Sequence, residues 1–168
     1  MLKEVSKRGR KGQLELSFTM IFSIIIIIAI IGTAFYVITY FLNLSRCTDV
    51  GLFYSDLQKR VDKAWASEKA QETFTGKLPS GIKEVCFGNL NQSNVAEYKE
   101  EYELFRRYFN LNKNTFLFPP ARACDINLAY YSLNHAQMPE FFCTPAKDGT
   151  VSFKLAKTSF DALVKVIR

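Results

Sequence analysis

The residues in this 168-residue chain able to do chemistry fall into two sets. One is the single histidine, His135, with four cysteines, Cys47, Cys86, Cys124 and Cys143. The other is Gly12, Gln13 and Glu15, which stand between a basic N-terminus and a long apolar run. A histidine beside a thiolate makes a nucleophile–base pair, and cysteines with a histidine make a zinc site. The local patterns for either are missing. The chain has no C-x₂₋₄-C pair, and His135 sits in the loop-like stretch SLNHAQMP. HExxH, P-loop, GxSxG and dinucleotide fingerprints are absent as well. The sequence therefore nominates no catalytic residue, no metal ligand and no cofactor, and the expectation is a protein that is not an enzyme.

The elements that place these residues begin with the apolar run. Residues 18–42 are 25 uncharged residues, nine of them Ile. As a helix they extend about 37 Å at ~1.5 Å per residue, against a hydrocarbon core of ~30 Å. A lone span in lipid must pair its backbone groups internally, which only a helix allows. Thr19, Ser23, Thr33 and Thr39 can bond back to carbonyls of their own helix. Tyr36, Tyr40 and Phe41 fall near the far end, where aromatic rings favour the interface.

Charge sets the expected orientation. Residues 1–12 carry five basic side chains against Glu4, a net of +4, while Arg46 alone follows the span closely. Positive flanks stay cytoplasmic, so the C-terminal part is expected outside. Residues 47–168 hold 16 basic and 14 acidic side chains, so this region has no electrostatic footprint for nucleic acid. The apolar run exceeds a typical secretory h-region of ~7–15 residues, and no A-x-A cleavage site follows it.

The stretch KGQLELSF, residues 11–18, resembles the processing site of archaeal type IV pilin-like precursors with a class III signal peptide. The resemblance covers residues 8 to about 42. It implies that a prepilin-type signal peptidase cuts between Gly12 and Gln13, removing a leader and leaving the apolar helix as the new N-terminus. It also implies other pilin-like subunits as partners. The family pattern is roughly Q-x-S-x-E-F, whereas this chain reads Gln13, Leu14, Glu15, Leu16, Ser17, Phe18. Glu and Ser have exchanged places. Two residues turn a helix by about 200°, so Glu15 occupies a different face from the family's assembly carboxylate. Independently of any family, a carboxylate near a helix N-terminus is favoured by exposed N–H groups and the macrodipole. Glu15 thus stands as an assembly residue or a helix cap.

The remaining 122 residues suit one domain. A helix is expected over 52–70, with an apolar stripe at Phe53, Leu57, Val61, Ala64 and Trp65. It starts at a capping box of Ser55 and Gln58 or nearer Thr48, or it continues the membrane helix after a bend with Gly51 as the joint. Strands are expected over 73–78 and 82–87, joined by the turn LPSG. A second helix is expected over 94–109, capped by Asn94 with Glu97. Further strands are expected near 115–118 and 126–132, broken by Pro119-Pro120, then EFFCT and TVSFKLAKT around the turn PAKDG. The tail SFDALVKVIR fits a short helix or a strand.

The four cysteines fall on the expected external side, where disulfides persist. They allow three pairings. The aromatic strand contexts VCF and FFCT favour Cys86 with Cys143, which leaves Cys47 with Cys124. Sequons occur at Asn43, beside the expected bilayer, and at Asn91, in an expected loop open to glycosylation.

Together these features predict an α+β protein. A leader at 1–12 precedes a transmembrane helix at 13–46. An extracytoplasmic domain at 47–168 follows, with a small antiparallel sheet packed on helices. The expected role is a membrane-anchored pilin-like surface protein at the cell membrane, single-pass, its helix an anchor in the lipid bilayer or a filament spine. The alternative is an uncleaved single-pass membrane protein whose external domain is a binding module.

Overall fold

The computed structural model describes residues 11–91, 96–108 and 112–168, with side chains from residue 18 onward and, after the first gap, from residue 97. The chain divides into two compact units, the first ending at Leu42 and the second running Asn43–Arg168.

Helix α1, Lys11–Ala66, provides all of the first unit that is described and the opening of the second. Residues 18–42 are exposed throughout and uncharged, and the helix is long and apolar enough to cross a membrane. Its hydroxyls turn inward on their own backbone: Ser23 donates to the Thr19 carbonyl at 2.9 Å, Thr33 to Ala29 at 3.0 Å and Thr39 to Phe35 at 3.0 Å. Such bonds satisfy polar groups that an apolar medium would otherwise penalise.

In the second unit α1 changes character. Val50, Phe53, Tyr54, Leu57, Val61 and Ala64 are buried, at the 3–4 spacing of an amphipathic helix. The expected joint at Gly51 does not exist, because the helix runs through it unbroken. The expected capping box is absent for the same reason; Gln58 lies inside the helix and bonds Asp62 and the Asn134 backbone instead. The helix also stops short of the expected end. Lys157 donates to the carbonyls of Trp65 at 2.7 Å and Ser67 at 2.8 Å. A cation there satisfies terminal acceptors and complements the helix dipole.

Strands follow as β1 (Ala70–Lys77), β2 (Glu84–Phe87), β3 (Thr115–Phe118), β4 (Tyr130–Tyr131), β5 (Ala136–Gln137), β6 (Phe142–Pro145), β7 (Thr150–Lys157) and β8 (Val164–Ile167), with helix α2 at Lys99–Arg106. They form two sheets where one was expected. The first has the order β1-β7-β8-β5 and the second β4-β3-β2-β6. All pairings are antiparallel except β5 with β8. The fold is α+β.

Both expected turns form, yet the strands on either side of each belong to different sheets; across the second, only Lys147 and Thr150 exchange backbone hydrogen bonds, as an isolated antiparallel bridge. After β1 the LPSG turn closes with Ile82 N–H to the Pro79 carbonyl at 3.3 Å and Gly81 at φ 98°. It carries the chain from the first sheet to the second. After β6 a second turn has Asp148 and Gly149 at φ 51° and 70°, and carries the chain back. Turn chemistry fixes how a chain reverses, not which strand it pairs with.

Aromatic rings join the layers. Phe53 on α1 meets Phe74 on β1 with centroids 5.9 Å apart, and Phe74 meets Phe153 on β7 at 5.1 Å. Phe153 then meets Phe87 on β2 at 4.6 Å, and Phe87 meets Phe142 on β6 at 5.4 Å. This file of rings runs from the helix through the first sheet into the second. Each buried Phe contributes roughly 1.5–3 kcal/mol by its removal from water.

Other boundaries differ from expectation. The second helix is shorter, a 3₁₀ turn at Ala96–Tyr98 leading into α2 with Tyr98 as N-cap; Asn94 and Phe109 lie outside the described residues. Most of the strand expected at 126–132 is a 3₁₀ turn, Ile126–Ala129, because the Asp125 side chain accepts from the Asn127 N–H at 2.7 Å. The ambiguous tail forms strand β8.

Candidate functional site

The expected processing residues Gly12 and Gln13, with Glu15, lie within the backbone of α1, and their side chains are outside the described set. The first ten residues of the expected leader are likewise outside the described residues. Beyond it, the strongest feature of the first unit is the uninterrupted apolar surface of residues 18–42.

In the second unit the cysteines are all consumed. Cys47 pairs with Cys124 and Cys86 with Cys143, leaving no free thiol. Cys86 and Cys143 are direct register partners on β2 and β6, and both are fully buried. Cys47 and Cys124 are half-buried and tie α1 to the segment after β3. Glu84 places a carboxylate oxygen within 4.8 Å of the Cys86 and Cys143 sulfurs. Burial pushes its carboxyl above the usual range, with Glu101 adding repulsion. The bonded sulfurs offer no thiolate, so this trio lacks the donors of a Cys-type metal centre.

His135 is the one residue whose surroundings the sequence did not reveal. Its Nδ1 lies 3.0 Å from Oδ1 of Asp62 on α1. A carboxylate only accepts, so Nδ1 is the donor in this contact. Nε2 has no partner among the described residues. Gln58 donates to the same Asp62 oxygen at 2.8 Å and accepts from the Asn134 N–H at 3.0 Å. The His135 ring stacks on Trp65, and the Trp65 indole N–H donates to the Ala162 carbonyl at 3.1 Å. His135 itself takes φ 58°, and its carbonyl accepts from the Val164 N–H at 2.9 Å.

These contacts hold the β4–β5 loop to the helix and to β8. The Asp62 carboxyl is held below its usual range, first by the His135 hydrogen bond and then by that of Gln58. Each part of the cluster follows from local sequence. Gln58, Asp62 and Trp65 stand at i, i+4 and i+7 of one helix and share a face. That stripe of polar and aromatic residues was the available signal for a partner of the lone histidine. An imidazole oriented by a carboxylate is the arrangement used by general bases, but no cysteine thiol remains here to serve as its nucleophile.

Asn91 is exposed in a turn, its N–H bonded to the Asn89 side chain at 3.1 Å. Asn43, the other sequon, is exposed within the unbroken α1. No protein-family model, no curated protein and no solved structure matches this chain.

Proposed function

We propose that this chain is a membrane-anchored, pilin-like surface protein. Residues 18–42 are the anchor, and the disulfide-bonded unit that follows is the exposed surface outside the cell. The observation that carries this reading is a fully exposed, uncharged helical stretch of 25 residues placed directly behind KGQLELSF. Exposed to water, its apolar surface would be a large unpartnered patch; within lipid it is an ordinary span. Two disulfides support an oxidising compartment for the second unit. The basic flank before the span supports a cytoplasmic N-terminus.

The test is the mature N-terminus, read by mass spectrometry of protein extracted from the membranes of an archaeal host with an active prepilin-type peptidase. The expected first residue is Gln13. An intact Met1–Gly12 leader overturns the processing step. The exchanged places of Glu15 and Ser17 favour a second reading, an uncleaved single-pass protein whose external domain binds an envelope partner. Maturation unchanged by Gly12→Leu selects that reading.

A further inference from the structure

The disulfide between Cys47 and Cys124 ties one surface segment to the chain just past the apolar run. Cys47 is five residues past Leu42, and α1 passes through both without a break. Five residues of helix rise about 7.5 Å at ~1.5 Å each. The Cα atoms of Cys47 and Cys124 are 5.2 Å apart. Chain connectivity therefore keeps Cys124 within a short reach of the last residue of the run. In a bilayer the headgroup layer adds roughly 5–8 Å to each side of the hydrocarbon core, a depth of the same order.

The segment is held from its other end as well. Tyr54 on α1 donates its hydroxyl to the Leu128 carbonyl at 2.9 Å, and its ring stacks on Tyr131 with centroids 4.4 Å apart. Between the two ties the backbone closes on itself. The Asp125 N–H bonds the Ala123 carbonyl at 2.9 Å, and the Leu128 N–H bonds the Asp125 carbonyl at 3.0 Å. Ala123 and Ala129 are fully buried, whereas residues 125–127 are exposed. Ile126 stands in the middle of these three, 50% exposed. With its flanks fixed on both sides it cannot turn into the core. A side chain on a preorganised support has little ordering entropy left to lose on binding.

What covers Ile126 follows from the tether and not from charge. Arg46 and Arg122 lie near the two ends of the disulfide in sequence, but Asp49 and Asp125 do so too and offset them. A single apolar side chain on a surface is ordinary. This one differs in being stapled to the first turns of helix beyond the apolar run. At a bilayer surface, apolar side chains are accepted to a depth of about 5–10 Å around the boundary of headgroups and acyl chains. Lipid is thus the one apolar medium that the tether brings to this segment.

We propose that residues 121–127 rest on the outer headgroup layer of the bilayer that holds the chain's own helix, with the Ile126 side chain seated among the lipids. The contact rests on the reading of residues 18–42 as the anchor. It extends the lipid-facing surface of the span onto the folded unit and gives that unit a second point of attachment. The attachment depends on one disulfide. With Cys47 and Cys124 joined, the segment stays beside the exit of the helix; with them reduced, only the Tyr54 contacts remain to hold it to α1 among the described residues.

The test uses the full-length protein in phosphatidylcholine vesicles containing nitroxide-labelled lipid. Trp65→Phe removes the only native indole; in that background Ile126→Trp reports on the segment and Ile28→Trp on the span. Lipid labelled at the headgroup should quench the Ile126→Trp emission by half or more, and lipid labelled in the acyl chain should quench Ile28→Trp. Adding Cys47→Ser and Cys124→Ser should relieve the quenching of Ile126→Trp; quenching that persists overturns the tether. Quenching of Ile28→Trp without that of Ile126→Trp overturns the contact and leaves the anchor reading intact. A second copy covering the segment gives that same result, because only lipid carries the label. No quenching of either removes the anchor and the contact with it. The wild-type chain gives a second measurement: a lipid with a headgroup diazirine should leave adducts on residues 125–127 after photolysis, and adducts confined to the span overturn the contact.

Discussion

The indole of Trp65 lies flat on the imidazole of His135, with ring centroids 3.9 Å apart and planes 6° apart. They are the only tryptophan and the only histidine in the chain, so the emission of the protein reports on a single contact. Removing the imidazole uncovers one face of the indole to water, so His135→Ala should change the intensity and position of the Trp65 emission. An emission spectrum identical to wild type would show that the stack does not form.

The Asp62 carboxyl is held low by His135 and Gln58. A lowered folded-state value stabilises the fold above the unfolded carboxyl pKa of ~3.9, and that stabilisation is lost as pH falls through the folded value. Asp62→Asn should therefore be less stable than wild type near neutrality and should converge with it in strong acid. The pair is half-exposed, so the difference should stay within about 1 kcal/mol. Urea denaturation of both proteins across pH measures it.

Gly51 and Gly88 should respond to alanine in opposite directions. A Cβ on Gly51 meets nothing within 4 Å, and the residue sits inside α1. Gly51→Ala should stabilise the fold by up to about 1 kcal/mol through helix propensity. Gly88 takes φ 142°, and a Cβ there would lie 2.6 Å from the Phe141 backbone. Gly88→Ala should destabilise by roughly 1–3 kcal/mol or more. Thermal melts in a common detergent compare the two.

The disulfides should be reduced in sequence. Cys86 and Cys143 are fully buried, while Cys47 and Cys124 are partly exposed. Mild reductant followed by alkylation should label Cys47 and Cys124 first, as peptide mapping would show. Simultaneous labelling of all four would mean that β2 and β6 open as readily as the surface. Removing either bond should cost about 4 kcal/mol in the chain-entropy model.

Much of this fold was legible from local pattern. The apolar run gave the helix, short apolar and aromatic runs between turn residues gave β2, β3 and β7, and the contexts of Cys86 and Cys143 favoured the pair that the structure joins. What failed was partnership across distance. LPSG carries the marks of a tight turn and PAKDG those of a hairpin, yet β1 pairs with β7 and β2 with β3 and β6. Hydrophobic alternation tells which face of a strand is buried but says nothing of its neighbour. His135 does lie in a loop, as its sequence context suggests, but its contacts were not legible because the partners are 73 and 70 positions away on α1. The expected processing residues, Gly12 and Gln13, rest on a motif alone, and their side chains lie outside the described set.

The interleaving of the two sheets has a consequence for the order in which they can close. In the first sheet β8 lies between β7 and β5, so its interior seam is made by residues 164–167. The second sheet has all its strands by residue 145. A chain growing from its N-terminus can therefore knit the second sheet early, whereas the first stays unsewn until the final residues are made.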